Sequence, residues 1–130
     1  TRVIRTKEGA ERSFVLLDAG MNDLIRPALY QAHHTLETVA EPSTDTALVD
    51  VVGPVCESAD TFAEQTELAK LSPGDLLAIR SAGAYGFVMG SNYNTRGRAP
   101  EILVDKNQVH LIRERETIDS LWALEHTVDD

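Results

Sequence analysis

The sequence predicts a mainly β fold, an antiparallel barrel or sandwich with short helices attached. Its apolar runs are short and bounded by Gly, Pro and Asp clusters, and only two stretches have helical spacing. The third observation is size: 130 residues hold one hydrophobic core without disulfide or metal support, so a single domain over 1–130 is expected.

Thr1 to Thr6 (TRVIRT) alternates polar and apolar as a strand does. After Lys7-Glu8-Gly9, Ser13 to Leu17 (SFVLL) reads as a buried strand ending at Asp18. Met21 to Tyr30 (MNDLIRPALY) predicts a short helix, with Asn22 or Asp23 as cap and Leu24, Ile25, Ala28 and Leu29 at helical spacing. Pro27 belongs in a first turn, which places Arg26 and Tyr30 one turn apart on one face.

His34 to Val39 reads as a half-exposed strand, Glu41 to Thr46 as a polar loop, and Leu48 to Val55 as a strand whose Gly53-Pro54 break delivers Cys56 and Glu57 to its end. Thr61 to Leu71 is polar with scattered Leu, which predicts a loop or one weak helical turn. Ser72-Pro73-Gly74-Asp75 is a turn, and Leu76 to Arg80 a strand. Ser81 to Gly90 holds Tyr85 among glycines, read as a loop in which Gly83 and Gly86 permit close approach. Glu101 to Val104 and Val109 to Arg113 flank Asp105 to Gln108 as a hairpin. Thr117 to Leu124 predicts a second short helix with Ile118, Leu121 and Trp122 inward, before an end at 126–130 expected to fray.

A formal charge of -9 argues against a grip on phosphate backbones or anionic lipid, so neither nucleic acid nor membrane is expected as a partner. The single cysteine excludes an internal disulfide and a Cys-rich zinc site, and fits a cytoplasmic setting. No signal peptide is read, and a start at Thr1 inside a strand-like pattern reads as a cut from a longer chain.

Several residues are candidates for chemistry. Cys56 beside Glu57 is either a small core hydrophobe or a thiol held next to a carboxylate, a pairing better suited to proton donation than to nucleophilic attack. Arg26 and Tyr30 either form a surface ion pair with a packed ring or jointly grip a carboxylate. Tyr85 either fills a barrel end or contacts a cofactor or phosphate. His33 and His34 as strand neighbours face opposite ways, which disfavours a metal pair, and no metal site is expected. Arg96 and Arg98 near Tyr93 read as a solvated or interface loop rather than an RNA tract. Lys7, Lys70 and Lys106 lie in polar or turn-adjacent contexts, none like a buried Schiff-base lysine.

The segments Asp18 to Tyr30 (DAGMNDLIRPALY), Val52 to Asp60 (VGPVCESAD) and Gly74 to Asn94 (GDLLAIRSAGAYGFVMGSNYN), with Arg96-Gly97-Arg98, Glu101 to Val104 and Arg115-Glu116-Thr117 after them, resemble the carboxy-terminal domain of diaminopimelate decarboxylases. These belong to the alanine-racemase-like, fold type III class of pyridoxal-phosphate enzymes. The resemblance implies a cytoplasmic homodimer with shared active sites, in which an amino-terminal (β/α)8 barrel, absent from this chain, supplies the cofactor's lysine and most phosphate contacts. It further implies that Arg26 and Tyr30 bind the substrate's distal end, Cys56 donates a proton, Glu57 binds the distal amino group and Tyr85 contacts cofactor and substrate. The implied reaction of lysine biosynthesis converts meso-2,6-diaminopimelate to L-lysine and CO2, and this piece alone is expected to be inactive.

Ornithine decarboxylases of the same class resemble this pattern less, having Asp after the cysteine and no IRPALY stretch. Gly97 stands where many relatives have proline. Alternatives are a related decarboxylase of another amino acid or a polyamine precursor, and a non-catalytic regulator of the same fold.

Overall fold

The computed structural model describes residues 1–41 and 43–128, in two compact units, Thr1–Gly90 and Ser91–Asp130. In the first unit, β1 (Val3–Lys7), β2 (Phe14–Leu17), β4 (Thr46–Val52) and β5 (Thr61–Ala69) form one sheet in the order β1-β2-β4-β5. A second pair, β3 (Leu36–Thr38) and β6 (Leu77–Ile79), is antiparallel. The two are joined by an Arg2↔Leu76 bridge and by the Val3 amide donating to the Asp75 carbonyl at 2.8 Å.

β-Branched and aliphatic residues at alternate positions form the core: Val3, Val15, Leu17, Val49, Val51, Phe62 and Leu77 are buried, with Leu24 against them. The mainly β expectation is met, and the elements around it match their predicted places to within a few residues. Two features of the pairing differ. The sheets are open rather than closed on themselves, and β2 runs parallel to β4, with Phe14 opposite Asp50 and Val15 opposite Val51. A parallel pair needs a long crossover, and here residues 18–45 make it through a helix and β3.

The clearest departure is β5, the longest strand, where the sequence reads as a loop or weak helical turn. Its alternation is broken by a bulge: Val49 pairs with Thr66 and Val51 with Ala63, so Glu64 and Gln65 of β5 together lie opposite Asp50 of β4. Gln65, at φ 46°, sits in that bulge and donates its amide to Asp50 Oδ1 at 2.7 Å. Asp50 is buried in a central strand, and its other oxygen accepts from Arg12 at 3.0 Å. The polar residues of β5 are therefore strand residues whose partner lies in β4, which local periodicity does not register.

Helix α1 (Arg26–Tyr30) has Pro27 in its first turn as expected, but Ile25 is its cap residue and no side chain caps it. Asn22, a predicted cap, is instead 1% exposed, while Asp23 Oδ2 accepts from the Gly20 amide at 2.9 Å. Tyr85 lies in a helical turn, α2 (Gly83–Gly86), followed by a 3₁₀ turn at Phe87–Met89, not in an open loop. Neither glycine is there for close approach: a Cβ on Gly83 would meet nothing within 4 Å and one on Gly86 would touch only Ala82 at 3.9 Å.

The second unit contains the expected hairpin, β7 (Glu101–Asp105) and β8 (Gln108–Arg113), with Lys106 at φ 54° in its turn. Glu116 takes the place of a core. Its carboxylate accepts from Arg98 Nε at 2.8 Å, Arg98 Nη2 at 2.6 Å, the Arg98 amide at 2.9 Å and Asn92 Nδ2 at 2.6 Å. These hydrogen bonds, from the Arg98 side chain foremost, hold the Glu116 carboxyl at about 2, well below the ordinary 4.5. Helix α3 (Ile118–Leu121) is shorter than predicted and opens on a reciprocal Thr117–Ser120 capping box. Ile118 and Trp122 are about half exposed rather than inward, because among the described residues this unit buries no hydrophobic side chain against which they could pack. The expected fraying at 126–130 falls partly on Asp129 and Asp130, which lie outside the described residues, as does Pro42 of the polar loop before β4.

Candidate functional site

The five predicted site residues all lie in the first unit, on three segments that leave its core. α1 carries two of them. Its ends present Arg26, half-buried, and Tyr30, 61% exposed, and none of its residues is buried. α2 presents Tyr85, 57% exposed. The Arg26 guanidinium carbon sits 5.5 Å from the centroid of the Tyr85 ring, so α1 and α2 meet through a cation–π contact. This replaces the surface ion pair that was the plainer reading of Arg26. Among the described residues the Arg26 guanidinium makes no ion pair, and the Tyr85 and Tyr30 hydroxyls make no hydrogen bond, so their donors are available to an outside acceptor.

Cys56 and Glu57 lie in the loop 53–60 between β4 and β5. Cys56 is exposed, against the reading of it as a core hydrophobe. Glu57 Oε1 accepts from Ser58 Oγ and the Ala59 amide, both at 3.2 Å, so the carboxylate is tied to its own loop by one oxygen and open at the other. β4 ends at Val52 because Gly53 and Pro54 follow: a Cβ on Gly53 would lie 2.3 Å from both carboxylate oxygens of Asp60, and no side chain fits there.

Asp60 carries no role in the sequence reading, yet it organises this loop. It is 3% exposed and accepts from the Val55 amide at 2.7 Å and from the Met21 amide at 2.7 Å. The only signal in the sequence is its place at the end of VGPVCESAD, where an acidic residue directly before a strand has no obvious partner. His34 is a second buried polar residue that spacing leaves unassigned; its Nδ1 donates to the Arg80 carbonyl at 2.9 Å, while His33 is exposed.

A cleft of about 550 Å³ runs between α1 and β5, lined by Pro27, Gln31, His33, Phe62 and Glu64 among others, and includes none of the five predicted residues. A smaller depression of about 330 Å³ is bordered by Glu57, Asp50 and Arg12. Among the described residues no three His, Cys, Asp or Glu side chains are grouped to hold a metal ion, and no helix is long and apolar enough to cross a membrane.

An open β scaffold bearing exposed acid, cation and phenol groups on its loops is the kind of surface that completes a site rather than encloses one. Residues 1–83 match the family described as pyridoxal-dependent decarboxylase, C-terminal sheet domain, and the chain belongs to that family. It is 54% identical over 123 residues to the diaminopimelate decarboxylase of Pseudomonas aeruginosa, a match covering 95% of this chain and 29% of that protein. The crystal structure of the M. jannaschii diaminopimelate decarboxylase in complex with L-lysine superposes with a TM-score of 0.93 at 42% identity, over 98% of this chain and 29% of that one. A lysine/ornithine decarboxylase of Vibrio vulnificus complexed with cadaverine is more distant, at TM-score 0.67 and 28% identity over 75% of this chain and 26% of that one. The chain thus spans under a third of the length of the relatives it matches.

The family implies pyridoxal phosphate, and the residues present fit that group at its rim. Tyr85 is exposed and the Arg26 guanidinium carbon lies over its ring, so a phenol and a cation stand together, group types suited to an anionic acceptor. Lys7, Lys70 and Lys106 are exposed, Lys70 lying 3.8 Å from Asp45 and Lys7 bordering a depression of about 280 Å³ with Arg5, Phe14 and Leu16.

Proposed function

We propose that residues 1–130 are the carboxy-terminal β domain of a diaminopimelate decarboxylase, a pyridoxal-phosphate carboxy-lyase that converts meso-2,6-diaminopimelate to L-lysine and CO2. The observation that carries this reading is the contrast between superpositions: TM-score 0.93 on a diaminopimelate decarboxylase holding L-lysine against 0.67 on a lysine/ornithine decarboxylase. When bound, the cofactor supplies the electron sink that lets a carboxylate leave as CO2.

This chain's own residues then bind and protonate. The Arg26 guanidinium, held over the Tyr85 ring, and the Tyr30 hydroxyl receive the distal carboxylate of the substrate, and the free oxygen of Glu57 receives its distal ammonium. Cys56, exposed at the loop tip, gives its thiol proton to Cα after CO2 has left. Tyr85 contacts cofactor and substrate. A substrate lacking the distal carboxylate or ammonium leaves these groups unpaired, at about 1–3 kcal/mol each, which is how the site selects its substrate.

The cofactor's lysine lies outside these residues, on an amino-terminal barrel domain, so the piece alone is inactive. The complete enzyme works as a cytoplasmic homodimer with shared sites in lysine biosynthesis; the acidic charge and single cysteine support that setting. The test is CO2 release by the complete protein on meso-diaminopimelate against lysine, ornithine and carboxynorspermidine. Turnover of the first above the others is expected, and none on the first overturns the assignment.

A further inference from the structure

A buried carboxylate lies between two of the segments that carry the candidate residues. Asp60 is 3% exposed and spends its two carboxylate oxygens on two different stretches of chain: Oδ1 accepts from the Met21 amide and Oδ2 from the Val55 amide, each at 2.7 Å. Met21 opens the turn that leads into α1, and Val55 directly precedes Cys56. The same two stretches touch at Gly20, where a Cβ would meet Val55 Cγ2 at 3.0 Å, Pro54 Cδ at 3.3 Å and Asn22 Oδ1 at 2.8 Å.

Each stretch is stiff beyond its contact with Asp60. From Met21 to Arg26 the chain is held by the Asp23 and Leu24 amides donating to the Gly20 carbonyl, by the Asp23 carboxylate on the Gly20 amide, and by Leu24 in the core. From Val55 to Asp60 it is held by the Glu57 amide on the Val55 carbonyl, the Asp60 amide on the Glu57 carbonyl and the Gly53 amide on the Asp60 carbonyl. Two short rigid pieces joined through one buried carboxylate keep a fixed separation.

We propose that Asp60 is a positioning residue that locks the Cys56–Glu57 loop to the turn bearing Arg26 and Tyr30. It touches neither substrate nor cofactor. The role assigned to those four residues rests on the proposed function, but the lock itself does not.

Asparagine is the informative replacement. It is close to isosteric with aspartate but has one acceptor oxygen, so its NH2 must face either the Met21 or the Val55 amide, donor against donor. In the complete protein, Asp60→Asn is expected to speed hydrogen exchange in both 20–26 and 53–60 together, and to raise KM for meso-diaminopimelate and lower kcat, each by roughly tenfold or more, because misplacement by about 1 Å costs that much. Gly20→Ala, which presses on the same contact without changing charge, is expected to move both quantities in the same direction by a smaller factor. Faster exchange confined to 53–60, or unchanged kcat and KM in a variant that exchanges faster in both segments, overturns the proposal. If the wild-type protein does not act on meso-diaminopimelate, the functional reading fails, and joint or separate loosening of the two segments still decides for or against the lock.

Discussion

The two units of this chain are built on different principles. Every buried hydrophobic residue among those described lies in Thr1–Gly90, and so do all five candidate site residues. Ser91–Asp130 has a half-exposed hairpin carrying Ile102, Leu103, Val104, Val109, Leu111 and Ile112 at 50% exposure or more, and its described order comes from the hairpin ladder, the Arg113–Glu101 ion pair, the Thr117–Ser120 capping box and the Glu116 carboxylate with four hydrogen bonds. A hydrophobic core can hold exposed loops rigid because its energy is spread over many contacts. A single ion-pair hub is local, directional and sensitive to pH. Chemistry that needs fixed distances belongs on the first kind of support.

That contrast can be broken on either side. The largest effect is expected at the thiol. Cys56→Ala in the complete enzyme should lower kcat by about 10²- to 10⁴-fold, the usual range for a general acid, with KM little changed, because in the proposed role the thiol acts after binding; wild-type turnover in steady-state assays would remove Cys56 as the acid. Next comes the core beneath it. Leu17, fully buried, should cost about 2–5 kcal/mol when cut to Ala, read as faster hydrogen exchange at Val15 and Val51 with the 91–128 segment unaffected.

A smaller change is expected at the binding end. Arg26→Ala removes a charged hydrogen-bonding partner, about 1.5–3 kcal/mol, and should raise KM for a substrate with a distal carboxylate by roughly 10- to 100-fold while kcat falls less. An unchanged KM would make the arginine a structural partner of Tyr85. The smallest effect belongs to the second unit. Because folding lowers the Glu116 carboxyl from 4.5 to about 2, its stabilising contribution is complete above 4.5 and is lost as pH falls toward 2. Fluorescence of Trp122, the chain's single tryptophan, should report an acid transition in that window, and Glu116→Gln should abolish its pH dependence.

Much of the fold is legible in the sequence because most of its elements are locally consistent. SFVLL, the Ser72 to Asp75 turn and the Asp105 to Gln108 hairpin each combine apolar spacing with turn residues that agree with it, and α1 is announced by Pro27 in its first turn. The candidate residues rest on a different kind of signal: Arg26, Tyr30, Cys56, Glu57 and Tyr85 stand in motifs whose residue types suit the proposed chemistry. What failed was local reading of non-local facts. β5 has little apolar alternation of its own and becomes a strand because Val49 and Val51 lie beside it, with Asp50 holding its bulge. The helix around Tyr85 hid behind glycines that the backbone does not need, and Ile118 and Trp122 had the spacing of an inward face with no core to receive it.

The amino-acid sequence by itself determined the strand-rich class, the single thiol beside a carboxylate, the pairing of Arg26 and Tyr30 on one helix, and the kinship of the chain; that the thiol is exposed was decided by the fold. Only the tertiary structure decided that β2 and β4 run parallel, that Arg26 rests on Tyr85, and that Asp60 joins the loop of Cys56 to the turn before α1. The physical reason is the same in each case. Side-chain type and spacing are properties of neighbouring residues, whereas a shared carboxylate or a stacked ring exists only once segments dozens of residues apart have been packed against one core.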